Sequence, residues 1–403
     1  MTEAIRAEVG YPRLLPCHPK PRPDELLSSW IVRTAAANRI AFDSLPLGGR
    51  FFKIRDADVN LSGKTLECLS KSTGISSDRI RQLSLMSFRG VLFENNPPNA
   101  ALPPWILPIR TKGFCGVQCC PQCLLESPYY RKVWRLAFAV MCTKHKCRLV
   151  DACNACGRPV AYHKGAGLLG FHSKPVTRCR HCATSYTDCR VEAVALDDDA
   201  LKLQDCLESI FERGSITLCG VSLSALSFFE GLRILGRMLL RRPRGLALRR
   251  AVRSGIEDLS VDRATHARIE FLSNADRLIV MRCLAALLLE WPSNFLRACR
   301  SANITLGADL GRSKFRRNNA AWIFEAARAL TRPGCSKNGA RYSKEFRVQI
   351  VALARSGRSV SSLAREFGIG KCTILRWLSK VENDTGSSKV ASCNKIFVDP
   401  MAA

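Results

Sequence analysis

Acidic residues are scarce: 34 Asp and Glu stand against 62 Lys and Arg in 403 residues, a formal net charge of +28. Phosphodiester transfer of the two-metal kind needs carboxylates gathered on a mixed αβ domain. Asp197, Asp198 and Asp199 fall in an expected loop with no alternating strand pattern around them, and Asp24 and Glu25 read as a helix start. No such carboxylate set is therefore expected. A GxxxxGK[ST] phosphate loop is also missing, which excludes a P-loop ATPase. The longest apolar stretch, around Leu284 to Leu289, falls far short of the roughly eighteen residues of a membrane span. The opening MTEAIRAEVGYPRLL has no apolar core, so no secretory signal is expected. A non-enzymatic protein that stays in the cytoplasm is the expectation.

Basic charge is abundant, and 44 of the 62 basic residues are Arg. The planar guanidinium fork matches phosphate, so the surplus points to a polyanionic partner, DNA foremost. An anionic membrane surface is the alternative that net charge alone does not separate, although nothing else in the chain favours a membrane. With 47% apolar residues the chain has enough apolar surface to build real cores.

Helical periodicity dominates. Asp24 reads as an N-cap after a proline-rich arm at 11–23, followed by Leu27, Trp30, Ile31 and Thr34 at helical spacing. Two short helices are expected between Gly63 and Met86, broken at Thr73-Gly74. LKLQDCLESIF, SALSFFEGLRILGRMLL, the run from Asn274 to Trp291 and AAWIFEAARAL each repeat at i, i+3, i+4. The expected fold is mainly α and multidomain. An N-terminal helical, helix–turn–helix-like domain spans 1–110, tandem structural zinc-finger modules 111–192, and a helical C-terminal domain 193–332. A linker at 333–340, a terminal helix–turn–helix at 341–382 and a polar tail at 383–403 follow.

Eleven of the twenty cysteines lie between Cys115 and Cys189. In a reducing compartment such pairs read as metal ligands rather than disulfides. Cys120-Pro-Gln-Cys123, eighteen residues, then Cys142-Thr-Lys-His145 form one set. Cys153-Asn-Ala-Cys156, twenty-two residues, then Cys179-Arg-His-Cys182 form another. A two-residue gap lets one tight turn aim two ligands at a single ion, and tetrahedral zinc takes two such pairs at about 2.3 Å from each sulfur. Two structural Zn2+ per chain are expected, with no coordination position left for a catalytic water. Cys119 is an alternative to Cys120, and Cys147 or His181 to a neighbouring ligand. Cys115 and Cys189 have no assigned partner, and interleaved pairing is the alternative to sequential pairing.

Residues 360–377 fit a helix–turn–helix. Leu363, Phe367, Ile369, Ile374 and Trp377 fall at packing positions, Ala364 at the close approach and Gly368 in the turn. SKEFRVQIVALARSG supplies a supporting helix, capped by Ser343 and ended near Gly357. Lys371, Cys372, Thr373 and Arg376 then line the recognition helix, while Arg358, Arg365 and Lys380 reach phosphates. A basic protein-binding trihelical module is the alternative. Leu66 to Leu83 repeats the pattern more weakly, with Gly74 in the turn and Arg79, Arg81 and Arg89 as contacts to phosphate or RNA; a plain helical core is the alternative. Arg233, Arg237, Arg241, Arg242, Arg244, Arg249, Arg250 and Arg253 form a run uninterrupted by acid. Its first three members share one helix face, where like charges repel, so an anionic partner is one reading and a solvated face the alternative.

These segments resemble the TniQ/TnsD family, the target-selection proteins of transposons that carry an ATPase-regulated transposase. LLPCHPKPRPDELLSSWIVRTAAAN at Leu14 to Asn38 carries the N-terminal signature, and KSTGISSDRIRQLSL at Lys71 to Leu85 a short helical motif. CPQC…YYRKVWRLAFAVMCTKHKCRLVDACNAC, from Cys120 to Cys156, is the most specific part: a first zinc site, a Tyr/Trp-bearing helix, and the opening of a second site. EWPSNF at Glu290 to Phe295 resembles a further family feature. The resemblance implies a non-enzymatic adapter that recognises a target and recruits an AAA+ ATPase and, through it, the transposase. It also implies a homodimer as an assembly and, in some relatives, an RNA-guided complex as the target. The C-terminal helix–turn–helix departs from the shorter members and favours direct DNA reading. A zinc-containing transcriptional regulator built from the same modules is the rival reading, distinguished by independence from an ATPase.

Overall fold

The computed structural model describes residues 14–40, 56–94, 102–109, 116–162, 175–196, 198–241, 243–252, 259, 268–305, 320–330, 344–367, 369, 371–375 and 377–378. Asp197, Arg242, Arg253, Cys115, Ser343, Gly368, Arg376, Lys380, the linker and the tail lie outside them. The fold is mainly α, and the chain divides into two compact units at Leu330 and Thr331.

Unit 1 opens with an arm laid along α1 (Leu27–Ala37): the Trp30 indole donates to the Pro19 carbonyl and Arg33 to the Lys20 carbonyl. The N-cap of α1 is Leu26, with no side-chain cap, and this corrects the assignment of Asp24. Asp24 instead accepts from the Tyr129 hydroxyl at 2.8 Å and pairs with Arg131 at 3.1 Å. Helices α2 (Gly63–Thr73) and α3 (Ser77–Leu83) stand as the sequence predicts, with Ser62 and Ser76 accepting from the first-turn amides. Gly74 ends α2 at φ 67°, a backbone conformation that disfavours any Cβ. Leu27, Trp30, Ile31, Leu66, Leu69, Ile80 and Leu83 bury together, so α1–α3 form a trihelical cluster.

Among the described residues, the cysteine-rich stretch has little regular structure. It contains α4 (Pro121–Glu126) and two two-residue strands, β1 (Met141–Cys142) and β2 (Cys147–Arg148), paired antiparallel. The Tyr/Trp-bearing segment is a single 3-10 turn over Lys132–Arg135 rather than the expected helix. Tyr130 and Trp134 are buried edge to face there, so burial of aromatic rings and not helical periodicity sets its pattern.

The helical remainder runs α5 (Asp199–Arg213), β3 (Ser215–Leu218), β4 (Val221–Ser224), α6 (Ala225–Leu240), α7 (Arg244–Val252), α8 (Asn274–Leu288), α9 (Ser293–Ser301) and α10 (Ala321–Ala327). Asp198 caps α5 through the Ala200 and Leu201 amides, correcting its assignment to a plain loop. The β3–β4 hairpin interrupts a stretch expected to be mostly helical, between two of its predicted helices; Cys219 and Gly220 turn it at φ 48° and 80°. Among the described residues no single helix is long and apolar enough to cross a membrane. The pair α8–α9 passes only together and is bent by 116°.

One apolar core runs from Leu26 to Leu330, through the cysteine-rich stretch and the helices alike. Helix side chains satisfy backbone that the loops leave unpaired. Gln204 accepts from the Val140 and Met141 amides, Asn274 donates to the Val140 carbonyl, and Arg277 donates to the carbonyls of Ala137 and Ala139. Gly231 on α6 abuts the Trp322 indole of α10, and a Cβ there would overlap the ring. Gly231→Ala should therefore lower stability by about 1–3 kcal/mol in a denaturant melt, against the gain an exposed helical site would give.

A buried ionic group joins three parts of this unit. Arg135 donates to Asp56 at 2.6 Å, Asp58 at 3.0 Å and the Leu107 carbonyl at 2.7 Å. Asp58 also accepts from the Ser28 amide and hydroxyl, and that hydroxyl meets Tyr162. Burial pushes the Asp58 carboxyl up to about 6, against the pull of Arg135. The folded state thus holds this proton more tightly than the unfolded chain, and stability from this group falls as pH rises through 6. Relative to Asp58→Asn, the wild type should lose about 1 kcal/mol between pH 5 and pH 7 in urea melts. A flat difference between the two proteins would contradict the assignment.

In unit 2, α11 (Lys344–Arg355) and α12 (Val360–Glu366) precede helical backbone at 371–375 and 377–378. Ile350, Leu363, Ile369 and Ile374 form its core, with Ala364 and Trp377 packed against it, as the helix–turn–helix spacing predicts. Gly357, at φ 97°, follows the end of α11. Phe367 departs from the pattern: it is 37% exposed and meets Phe346 edge-on at the surface.

Candidate metal centres and nucleic-acid-binding surfaces

Two constellations of thiol and imidazole converge, each with all ligand atoms within 4.8 Å of one another: Cys120, Cys123, Cys142, His145 and Cys153, Cys156, Cys179, Cys182. The pairing is sequential, not interleaved. Within them Cys123 and Cys142 sulfurs lie 3.6 Å apart, Cys153 and Cys182 3.6 Å, and Cys156 and Cys179 3.7 Å. The edge of a tetrahedron with 2.3 Å metal–sulfur bonds is about 3.8 Å, so the donors fit a zinc-sized, thiophilic ion. His145 turns Nδ1 toward the Cys120, Cys123 and Cys142 sulfurs at 3.2–3.5 Å and Nε2 toward Glu126 at 2.9 Å. That carboxylate fixes the ring as an outer partner of a metal-bound imidazole does.

Local backbone explains why these short spacings work. In three of the four pairs the residue after the second ligand is left-handed: Lys146 at φ 49°, Gly157 at 68° and Ala183 at 59°. Each donates its amide at 2.8 Å to the carbonyl of the first cysteine of its pair. The fourth pair uses a helix start instead, with Cys120 as sulfur N-cap of α4 and Pro121 next. Neighbouring Cys123 holds the Cys120 thiol down to about 6, and the Thr184 hydroxyl does the same for Cys182. Each cluster therefore presents a thiolate readily.

The alternative ligands sort cleanly. Cys119 exchanges backbone hydrogen bonds with Val150 and is fully buried away from the cluster, and burial pushes its thiol up. His181 meets Arg158 at 3.1 Å. Cys189 is buried in the apolar core. Cys147, however, sits with its sulfur 3.7 Å from that of Cys120.

The basic residues singled out by sequence divide between exposed and engaged. On α3, Arg79 donates to Gln82 and Arg81 pairs with Asp78, both at the surface. Arg233 lies half-buried 3.7 Å from the buried Glu270, which Arg268 also approaches at 3.3 Å. The run therefore has a balancing acid, brought from a distant part of the chain, and Arg233 is not on a solvated face. Burial, with the charge of Arg233 beside it, lowers Arg237 to about 10. Arg241 is exposed, whereas Arg249 is buried against the Leu239 carbonyl. In unit 2, Lys371 and Cys372 are exposed and Thr373 half-buried at the start of the recognition segment. Arg358 pairs with Glu366, and Arg347 lies over the Trp377 ring.

Residues 16–149 match the TniQ family model, and residues 337–396 match a helix–turn–helix family described as Transposase. No curated protein matches the chain. The first match takes in the trihelical cluster, Arg135 and the first metal constellation; the second takes in the whole of the C-terminal trihelical core.

Proposed function

We propose that this TniQ-domain, transposition-associated protein is a non-catalytic target selector. It recognises DNA or a DNA-bound complex and recruits the transposon's AAA+ ATPase and, through it, the transposase. The observation that carries this reading is the joining, in one chain, of a TniQ domain to a transposase-type helix–turn–helix with its own core. On this reading Lys371, Thr373 and Arg376 read base edges, while Arg358 and Lys380 contact phosphate, Arg358 by exchanging its Glu366 partner for an oxyanion. Arg79, Arg81 and Arg241 supply further cationic contacts to an anionic nucleic acid or partner, and Arg233 and Arg237 back Arg241 along α6. Each metal constellation holds one structural zinc ion that fixes the loop-rich stretch between the helical parts.

A transposition assay in cells, with and without the protein and with every insertion site sequenced, tests the reading. Insertions should focus at defined sites with the protein and vanish or scatter without it. Unchanged frequency and position would transfer the protein to the regulator class, which needs no ATPase partner.

A further inference from the structure

The first metal constellation has a further thiol beside the four donors a tetrahedral ion can use. The β1–β2 ladder pairs Met141 with Arg148 and Cys142 with Cys147. Residues directly opposite in an antiparallel pair put their side chains on one face, with Cβ atoms about 4.5–5.5 Å apart. Whatever occupies position 147 is thereby aimed to the side on which Cys142 carries its sulfur. Cys147 is only 2% exposed, and its sulfur lies 3.7 Å from Cys120. That distance is close to the roughly 3.8 Å edge expected between two thiolates on one ion. Cys120, Cys123, Cys142 and His145 are the four donors that converge, and Cys147, beside Cys120, is a fifth thiol at the edge of that set. Among the described residues the second constellation shows no such surplus, because its neighbour His181 is turned to Arg158.

His145 is the donor equipped to leave. Its Nε2 already faces Glu126, which also pairs with Lys144. The left-handed Lys146 is the single residue between His145 and Cys147, so a turn of that loop trades one side chain for the other. We propose that Cys147 is a reserve ligand: the first centre keeps its ion through Cys120, Cys123, Cys142 and either His145 or Cys147. This rests on the zinc reading of the constellation. In the exchange the bond from the ion to His145 Nδ1 breaks and a bond to Cys147 Sγ forms. The thiol proton passes to Nδ1, and the imidazolium stays paired with Glu126 through Nε2–H. No electrons are transferred. The fourth thiolate adds negative charge where the Arg131 guanidinium, itself paired with Asp24, faces the Cys123 sulfur.

The test uses the full-length protein loaded with Co2+, whose thiolate charge-transfer absorption reports the sulfur count. His145→Ala should retain two ions per chain and gain charge-transfer intensity. His145→Ala with Cys147→Ser should fall to one ion, while Cys147→Ser alone keeps two ions and the wild-type spectrum. His145→Ala falling to one ion, or keeping two with no gain in intensity, overturns the proposal. An independent measurement needs only the Cys147→Ser variant: loss of one ion to a colorimetric chelator should be at least about tenfold faster than in wild type, the scale of outer-partner effects. An unchanged rate overturns the proposal as well. A wild-type protein that takes up no metal would remove the zinc reading itself, a result distinct from either.

Discussion

Stripping both ions with a chelator is expected to abolish the cooperative unfolding transition of unit 1, and adding zinc back to restore it. Among the described residues between Gly116 and Leu196, regular structure amounts to one six-residue helix, two two-residue strands and a few 3-10 turns. Such a stretch leaves backbone orientation to its eight ligands. Lys146 and Ala183 hold left-handed conformations that cost an L-residue about 1–2 kcal/mol, which ligand–metal bonds would offset on the zinc reading. Structural zinc contributes on the order of 10 kcal/mol per site, comparable to the whole stability of a typical domain. The loss should not stay local, because Val140 and Met141 carry their amides into Gln204 on α5, and Ala137 and Ala139 their carbonyls into Arg277 on α8. Cys179→Ser should reproduce the effect, whereas Cys206→Ser, at an exposed thiol on α5, should not. Near-ultraviolet circular dichroism with metal analysis reads both. A metal-free protein with its melt intact would contradict the structural role. Unit 2, whose core is Ile350, Leu363, Ile369 and Ile374, should keep its helicity throughout.

Features set by neighbours in sequence were legible, and those set by distant partners were not. Two-residue gaps favour a turn that aims both ligands one way, so the ligand pairs could be read from spacing, while the choice of sequential over interleaved pairing came from the fold. The knuckle conformation itself was signalled only at Gly157; nothing about Lys146 or Ala183 announces a left-handed residue. Gly74 and Gly357 marked real helix ends for the same local reason. Asp24 had the chemistry of an N-cap, yet Tyr129 and Arg131, a hundred residues on, claim its carboxylate. Likewise Glu270 meets Arg233 only through folding, and a run of Arg that looked unbalanced acquires its acid from outside the run. The β3–β4 hairpin hid because four alternating residues on each side of Cys219-Gly220 are too few to outweigh strong helical patterns flanking them. Phe367 shows the converse: its spacing suits the helix–turn–helix core, but the small unit fills that core with three Ile and one Leu.

Arg135→Met is expected to destabilise unit 1 by about 3–5 kcal/mol, the scale of removing one partner from a buried ionic group. The guanidinium is fully buried and is the cation that faces both Asp56 and Asp58. Without it, two carboxylates remain in an apolar setting, and the Asp58 carboxyl, already raised to about 6, is driven higher still. Methionine fills much of the volume, so the deficit reports charge rather than a cavity. Adding Asp56→Asn and Asp58→Asn to Arg135→Met should recover part of the loss, because no uncompensated charge is then buried. Urea melts of the three proteins, with two bound zinc ions verified in each, provide the comparison. If the triple variant is no more stable than Arg135→Met, the effect is packing and not charge. A second consequence follows from where the group sits. Ser28 on α1, Leu107 and Tyr162 meet at Arg135 and Asp58, so the trihelical cluster is tied to the cysteine-rich stretch there. Weakening that tie should raise hydrogen exchange in α1–α3 before it does so in α6 and α8, as local opening precedes global unfolding. The trihelical cluster would then detach as its own cooperative element, since its core of Leu27, Trp30, Ile31, Leu66 and Ile80 is distinct from the larger one.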